Sequence, residues 1–372
     1  MNSRKALIIF SGYNSRAVIA LCRLFYKNDL PFFIVAASDE DSIMHTNYKE
    51  KVQWVRKNVS LEVNELINSV SYIIKKFDLL EVTIVPSTEA LNHFLLLHRE
   101  ILEKNNIHVP LVNQQLYGQI TNKYSFGQLC KQKGISVPCE LKITEIDSFP
   151  VVAKPIKYSL DKDSISPVII GSESQFNIFK ESDRKDEYYF QEYIEGDSYY
   201  LFYSFDKKGG CETFSQQNLI QQGNGKSIVL AVASMIHLEK IGESFANLFK
   251  DLEYFGVVMV EIKRFKGTDY MIEANPRFWG PLQLIVDCNI PIIEHWVRMN
   301  GFEVPANVKE KKFESYLWLA GLTRSLRKDQ IMYHVSELIL DDLPYYLNKD
   351  IYLREDSYKY FIEEMKGVHS NE

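Results

Sequence analysis

The stretch GVVMVEIKRFKGTDYMIEANPR, residues 256–277, contains two alternating apolar runs on either side of Gly267. This pattern predicts two strands joined by a tight turn. A turn centred on Gly267 places Glu261 opposite Glu273, and because side chains alternate along a strand, both glutamates share one face. That face also holds Met259, Met271 and Asn275, whereas the core-directed face holds Val258, Val260, Ile262, Ile272 and Ala274.

Two glutamates opposite each other on paired strands lie about 5 Å apart at Cβ and repel each other unless a cation lies between them. Hard oxygen ligands suit Mg²⁺, which takes one or two carboxylates and completes its coordination with water and phosphate oxygens. Asn275 adds a neutral oxygen, and Arg277 adds a bidentate donor for phosphate or carboxylate. Taken alone, the segment also fits a surface hairpin with two solvated glutamates.

The N-terminal part of the chain alternates between strand-like and helix-like periods. Strands are predicted at 6–10, 31–37 and 82–85, and helices at 18–25, 61–77 and 91–102. Such alternation predicts a parallel sheet with helices on both faces, whose ligands bind beyond the carboxyl ends of the strands. The candidates there for a ligand site are Ser11, Gly12, Tyr13, Ser87, Thr88 and Glu89, which also fit ordinary turn positions.

Two lysines and a polar strand lie between the N-terminal region and the hairpin. Asn122 can cap a helix whose first turn carries Lys123, and Lys154 follows a predicted strand at 149–153. Another strand is predicted at 188–194. Beyond residue 300 the pattern is mainly helical, with amphipathic stretches at 317–326 and 358–365.

Composition limits the class of protein. The chain has 372 residues, 46% of them apolar and 25% charged, which excludes disorder or coiled coil as the dominant architecture. A net charge of −6 argues against a nucleic-acid partner. Five scattered cysteines predict reduced thiols. Without a signal sequence or a long apolar run, we expect a cytoplasmic protein with no membrane partner.

Two nucleotide-binding motifs are incomplete. The turn at residues 11–15 has only one glycine of the GxGxxG fingerprint, so a dinucleotide site has little support. Residues 223–227, GNGKS, end like a P-loop, but Ile220 stands where that loop needs a glycine. We therefore reject a P-loop.

In their order along the chain, the matching segments resemble the ATP-grasp superfamily over residues 110–300. They are Asn122-Lys123, VVAKP at 151–155, QEYIEG at 191–196, Glu261, and EANPR at 273–277. The longer sequence EANPRFWG at 273–280 is similar to ATP-grasp proteins of bacterial surface-polysaccharide or peptide biosynthesis.

The resemblance implies a fold of the α/β and α+β classes in four parts. An N-terminal parallel-sheet (pre-ATP-grasp) domain is expected at 1–112. The two-part ATP-grasp fold follows, with a small or lid subdomain at 113–190 and a large subdomain at 191–305. A mainly helical C-terminal extension is expected at 306–372.

The resemblance also implies a role for each matching polar residue. The residues expected to bind ATP are Lys123, Lys154, Gln191, Glu192, Tyr193, Ile194 and Asp197. Those expected to hold one or two Mg²⁺ ions, for which Mn²⁺ could substitute, are Glu261, Glu273 and Asn275. The expected catalytic residues are Arg277, facing the transferring phosphoryl group or the acyl phosphate, and Lys226, compensating for a basic residue that SQQN at 215–218 lacks. The lid loop, usually glycine-rich, is IKYSLDKDS at 156–164.

The implied reaction is an ATP- and Mg²⁺-dependent ligation. A substrate carboxylate is activated as an acyl phosphate, and an amine displaces phosphate, so that ADP and phosphate are released. The expected partners are a small-molecule carboxylate and an amine, and by fold position the N-terminal candidates at 11–13 and 87–89 would contribute to the acceptor site. Both a monomer and a homodimer are compatible with the resemblance. The unusual lid loop and SQQN favour an alternative, a non-catalytic nucleotide-binding regulatory or scaffold protein. A phosphoryl-transfer enzyme that stops at a phosphorylated product is a third hypothesis.

Overall fold

The computed structural model describes most of the chain. The described ranges are 4–58, 60–156, 166–304, 310–328, 330–334 and 342–369. Residues 157–164 of the expected lid loop lie outside them. No helix in the described ranges is long and apolar enough to cross a membrane.

The N-terminal region forms the predicted parallel sheet, with strand order β3-β2-β1-β4-β5. Its strands are β1 (Lys5–Phe10), β2 (Phe32–Ala36), β3 (Val52–Val55), β4 (Glu81–Ile84) and β5 (Ile107–His108). Its helices are α1 (Ser15–Lys27), α2 (Val63–Lys76), α3 (Glu89–Leu97) and α4 (Arg99–Lys104). Sequence reasoning missed the edge strands β3 and β5, and the single helix predicted at 91–102 is two helices that meet at His98.

A small antiparallel sheet follows, with strand order β6-β9-β7-β8. Its strands are β6 (Glu140–Leu141), β7 (Val151–Pro155), β8 (Val168–Ile170) and β9 (Tyr188–Glu192), and the helices beside them are α5 (Gln114–Thr121), α6 (Lys123–Gln132) and α7 (Glu173–Lys180). Asn122 caps α6 as predicted, because its side chain accepts a hydrogen bond from the backbone N–H of Ser125 at 2.9 Å.

The large sheet is antiparallel, with strand order β14-β13-β10-β11-β12-β15, and β16 pairs with the end of β11. Its strands are β10 (Asp197–Phe205), β11 (Cys211–Gln222), β12 (Ile228–Ser234), β13 (Gly256–Phe265), β14 (Thr268–Asn275), β15 (Ser315–Leu317) and β16 (Ile331–Tyr333). The remaining helices are α8 (Lys240–Asp251), α9 (Leu282–Asp287), α10 (Ile292–Met299), α11 (Leu319–Arg327), α12 (Leu343–Leu347) and α13 (Tyr358–His369). In the described part of the expected C-terminal extension, the helices α11, α12 and α13 are accompanied by β15 and β16, two strands of this sheet that sequence reasoning missed.

The hairpin of β13 and β14 has the predicted register around Glu261 and Glu273. Glu261 pairs with Glu273, and Met259 pairs with Asn275. Nearer the turn the register shifts, because Ile262 pairs with Met271 and leaves Ile272 as the extra residue of a bulge. The predicted faces of these two residues are therefore wrong: Met271 packs in the core, whereas Ile272 lies at a cavity beside the glutamates.

Both faces of the large sheet are covered by apolar side chains. Phe202 and Met259 belong to a core that includes α1, α9 and α10, whereas Val258 and Val260 belong to a second core with α8. Each core also contains residues of β1. The N-terminal sheet and the large sheet therefore pack as one body, and the polar end of the large sheet lies beside the N-terminal region.

Candidate active site

Glu261 is a buried carboxylate supported by neutral side chains. Ser198 donates from Oγ to Glu261 Oε1 at 3.5 Å, and Asn218 Nδ2 donates to Ser198 Oγ at 2.9 Å. Gln216 Nε2 in turn donates to Asn218 Oδ1 at 2.7 Å. These side chains reach from β11 across β10 to β13, so they orient Glu261 but do not neutralise its charge.

Glu273, the cross-strand neighbour, has a cationic partner. The ammonium group of Lys123 donates to Glu273 Oε2, and Asn275 Nδ2 donates to Oε1 at 2.6 Å. Burial opposes the charge of Glu273, but the pairing with Lys123 outweighs it and lowers the pKa of this carboxyl to about 2. The N-terminus of α6 thus places Lys123 against the hairpin.

The charges of the two glutamates are unequal. Burial, followed by repulsion from Glu273, raises the pKa of Glu261 to about 7. A divalent cation between the two carboxylates would remove that repulsion. Among the described residues, no group of three or more His, Cys, Asp or Glu side chains could hold a metal ion by itself, so the candidate ligands at this position are the carboxylates of Glu261 and Glu273 with the amide of Asn275. This set fits Mg²⁺, which takes few carboxylates and shares its coordination with phosphates.

Lys154 lies buried at the end of β7. Its Nζ donates to the backbone carbonyl of Ile272 at 3.2 Å. Burial, followed by the nearby charge of Lys123, lowers the pKa of Lys154 to about 7. Two ammonium groups held this close favour an anionic ligand, because an anion between them offsets their repulsion.

A cavity of about 240 Å³ lies between the small sheet and the large sheet. The predicted residues that line it are Lys123, Lys154, Gln191, Glu192, Tyr193, Ile194, Lys226, Glu261 and Glu273. Gln191 donates from Nε2 to the carbonyl of Pro138 at 3.3 Å, whereas its buried Oε1 has no partner among the described residues. This orphaned acceptor is available to an N–H donor of a ligand.

A second cavity of about 570 Å³ lies on the other side of Glu273. Its polar lining residues are Asn14, Arg16, Ser87, Thr88, Glu89, Tyr200, Gln222, Lys226, Ser227, Glu273, Asn275 and Arg277, and its other lining residues are Gly225, Ile228, Met259, Trp279, Gly280 and Pro281. Glu273, Gly225 and Lys226 line both cavities. The structure therefore brings two binding spaces together at Glu273.

Some predicted site residues lie elsewhere. Asp197 begins β10 opposite Arg264 and does not line either cavity. Of the acceptor-site candidates, Ser87, Thr88 and Glu89 line the larger cavity, but Ser11, Gly12 and Tyr13 do not. Ser11 instead donates from Oγ to Asp41 Oδ2 at 2.6 Å, and the side chain of Tyr13 is exposed.

Sequence reasoning missed several lining residues. Lys263 lines the smaller cavity, and strand alternation could have found it because it lies two positions after Glu261 on the same strand. Tyr200 could have been found only through its pairing with Glu261. Arg16, in the first turn of α1, lines the larger cavity, and its contacts are with residues more than two hundred positions away, at Ser227, Ile228 and Tyr316.

Comparison with known proteins identifies the central part of the chain. A family model described as an ATP-grasp domain matches residues 120–281. The chain contains an ATP-grasp domain. Its matched range begins just before Lys123 and ends just after Gly280, so it contains the four strands that carry Ser198, Asn218, Glu261 and Glu273.

Solved structures share the fold well beyond the ATP-grasp domain. Biotin carboxylase from Campylobacter jejuni is 13% identical with a TM-score of 0.60, and the match covers 83% of this chain and 74% of that one. The ADP complex of N5-carboxyaminoimidazole ribonucleotide synthetase is 14% identical with a TM-score of 0.61, covering 88% and 86%. The biotin carboxylase domain dimer of Hydrogenobacter thermophilus 2-oxoglutarate carboxylase, in complex with MgADP, ADP and bicarbonate, is 14% identical with a TM-score of 0.59, covering 84% and 72%. No curated protein matches the chain.

Proposed function

We propose that the chain is an ATP- and Mg²⁺-dependent ligase that activates a substrate carboxylate as an acyl phosphate for attack by an amine. The observation that carries this proposal is the position of Glu273 between two cavities. One cavity has lysines and an orphaned acceptor, and the other has Arg277 and the residues of the N-terminal sheet. A group transferred from one ligand to the other would pass beside Glu273.

The smaller cavity suits an adenine nucleotide. Gln191 Oε1 can accept a hydrogen bond from the adenine amino group, and the backbone of 192–194 lies along the same wall. Lys123 and Lys154 can hold the phosphates at the end of the cavity near the glutamates. Two structural neighbours were solved with ADP, one of them as MgADP, which supports the same assignment.

Glu261, Glu273 and Asn275 are the residues that would hold Mg²⁺. When bound, the ion would neutralise part of the negative charge of the phosphates. The chain's own contribution is orientation: Ser198 fixes Glu261, and Lys123 with Asn275 fixes Glu273. This arrangement requires no protein nucleophile, because positioning and charge stabilisation lower the barrier to phosphoryl transfer.

In the proposed reaction, a carboxylate oxygen of the acceptor attacks the γ-phosphorus atom, and ADP leaves. The amine then attacks the acyl carbon, and phosphate leaves with the former carboxylate oxygen. Arg277 lines the larger cavity next to Asn275, where it can bind the carboxylate before the transfer and the phosphoryl oxygens during it. Lys226 lines both cavities and adds a second positive charge along the same path.

One observation favours the alternative of a nucleotide-binding regulatory or scaffold protein. The strand segment 215–218 carries no basic residue, and Gln216 and Asn218 form hydrogen bonds within the support of Glu261. A site that binds nucleotide without turnover needs less positive charge around the phosphates. This alternative predicts nucleotide binding with no acceptor-dependent product.

Phosphate release with ATP, Mg²⁺ and panels of amino acids, peptides and uronic acids separates the hypotheses. The ligase releases ADP and phosphate only when a carboxylate acceptor is present. Glu273→Gln should reduce turnover by about 100-fold or more, while Glu212→Gln, at the far end of the large sheet, should leave it unchanged. Nucleotide binding without turnover would support the scaffold, and release of AMP and pyrophosphate would show adenylation instead.

A further inference from the structure

The guanidinium group of Arg16 is held in place from outside its own helix. Nη1 donates to the carbonyl of Ile228 at 2.9 Å and to the hydroxyl of Tyr316 at 3.4 Å, and Nη2 donates to Ser227 Oγ at 2.8 Å. The group also lies 4.1 Å from the ring centroid of Trp318. Strands β12 and β15 and the start of α11 therefore fix Arg16 at the wall of the larger cavity.

All the hydrogen-bond acceptors of Arg16 are neutral groups. In the described part of the chain, no carboxylate lies within 4.0 Å of its guanidinium, so Arg16 forms no ion pair. Other partly buried arginines differ, because Arg23 pairs with Asp356 at 2.7 Å and Arg354 pairs with Asp287 at 2.6 Å. Glu364 attracts Arg16 from beyond ion-pair distance but forms no pair with it. A desolvated guanidinium without an ion-pair partner is unfavourable by itself, and a bound anion would offset that cost. The charge of Arg16 is thus left for a ligand.

Arg16 and Arg277 line the same cavity, and Arg16 contacts the loop that follows Arg277. A Cβ atom at Gly280 would lie 2.9 Å from Cζ and from Nη2 of Arg16, so the guanidinium rests against the backbone of this glycine. Gly280 follows Arg277 by three residues, and both residues line the cavity. The acidic lining residue Glu89 forms no ion pair with Arg16 within 4.0 Å, and its carboxylate lies 3.7 Å from Nε2 of His93 on its own helix.

We propose that the larger cavity takes a carboxylate substrate that bears a second anionic group, and that Arg16 binds this second group. The inference rests on the proposed function: the first carboxylate lies beside Arg277 and Glu273 for activation, and Arg16 sets the substrate class. A guanidinium binds carboxylate and phosphate with the same bidentate geometry, so a dicarboxylic acid and a phosphorylated carboxylic acid share the required chemistry. At about 570 Å³ the cavity has the size of a small-molecule site.

The test compares acceptors that differ only in the second anionic group. Hydroxylamine serves as the amine, with ATP and Mg²⁺, and hydroxamate is measured with glutarate against butyrate and with O-phosphoserine against serine. For the wild type we expect kcat/KM at least about tenfold higher for the dianionic member of a pair. A preference for glutarate over butyrate would identify the second anionic group as a carboxylate, and a preference for O-phosphoserine over serine would identify it as a phosphate.

Variants assign the preference to Arg16. In Arg16→Gln the ratio of kcat/KM within a pair should fall to near one, and Arg16→Lys should retain part of it. Arg4→Gln, which changes an exposed arginine just before β1, should keep the wild-type ratio. Gly280→Ala leaves Arg16 in the sequence but displaces its guanidinium, and it should reproduce the loss even if Arg16→Gln folds poorly.

Two outcomes would overturn the inference: equal kcat/KM values for both members of every pair, or an unchanged ratio in Arg16→Gln and Gly280→Ala. If no acceptor gives hydroxamate, calorimetric titration of the same four compounds decides. Dianion binding that is lost in Arg16→Gln would support the Arg16 site while contradicting the ligase. Absence of dianion binding would overturn the Arg16 site itself.

Discussion

Glu261 and Glu273 face each other across β13 and β14, and in the described residues only Glu273 forms an ion pair, with Lys123. Glu261 has instead a neutral support that begins at Ser198. This asymmetry leaves one buried carboxylate without an ion-pair partner among the described residues at the junction of the two cavities, where the charges of Lys263, Lys123 and Lys154 only partly offset its burial and its repulsion from Glu273. The proposed metal site explains why an arrangement that is unfavourable for folding is present there.

The first prediction is a conflict between stability and function at Glu261. Glu261→Gln removes the repulsion from Glu273, so the protein without nucleotide should be as stable as the wild type or more stable. The same change should remove most of the rise in Tm that Mg²⁺ and ADP produce together. Differential scanning calorimetry with and without MgADP measures both effects. A large loss of stability in Glu261→Gln with an unchanged MgADP effect would contradict the assignment.

The second prediction concerns nucleotide selectivity. Gln191→Met keeps the size of the side chain but removes the orphaned acceptor, so the Kd for ADP should rise about five- to tenfold. The discrimination of ADP against GDP should shrink, because the lost acceptor is matched to an amino group. Titration calorimetry with both nucleotides gives the two Kd values. Unchanged selectivity would mean that Gln191 does not contact the base.

The third prediction concerns the attachment of the C-terminal extension to α1. Asp356 accepts hydrogen bonds from Arg23 Nε at 2.7 Å, from Arg23 Nη2 at 2.8 Å and from the hydroxyl of Tyr48 at 2.6 Å. Asp356→Ala leaves the charge of Arg23 uncompensated and should reduce the free energy of unfolding by about 3 kcal/mol. Asp78→Ala, which breaks the exposed pair with Arg4, should cost less than about 1 kcal/mol. Urea unfolding measures both free energies, and equal losses in the two variants would show that the burial of the Arg23–Asp356 pair adds no stability.

The fourth prediction is a pH dependence from His334, a buried residue whose Nε2 donates to Gln221 Oε1 at 2.9 Å. Burial, together with the charge of Lys263, lowers the pKa of His334 from 6.5 to about 4. Between these values the unfolded chain binds a proton that the folded chain does not, so stability falls as the pH decreases from 6.5 to 4. In His334→Gln, the decrease in the free energy of unfolding over this pH range should be smaller than in the wild type by up to about 3 kcal/mol. Identical pH profiles of wild type and variant would show that His334 is not the responsible group.

The sequence predicted the hairpin well because its information is local. Gly267 marks the turn, and strand alternation then fixes which residues face Glu261. The bulge at Ile272 escaped prediction, since it is set by how Met271 packs in the core rather than by any local residue pattern.

Arg16 and the C-terminal strands were unpredictable for the opposite reason. Arg16 looks like an ordinary first-turn arginine until Ser227 and Tyr316 are brought to it by the fold. Strands β15 and β16 have three residues each, too few for an alternating pattern, and their pairing with β12 and β11 depends on long-range packing. Local patterns thus predicted which side chains meet at the hairpin, whereas the extent of the larger cavity followed only from the structure.

The central claim is that an acceptor carboxylate attacks the γ-phosphate and that the phosphate then leaves with a carboxylate oxygen. Turnover with an acceptor whose carboxylate carries ¹⁸O tests it most directly, with mass spectrometry of the released phosphate and nucleotide. The account predicts one ¹⁸O atom in the phosphate and none in ADP. Label in AMP, or phosphate without label during acceptor-dependent turnover, would contradict it.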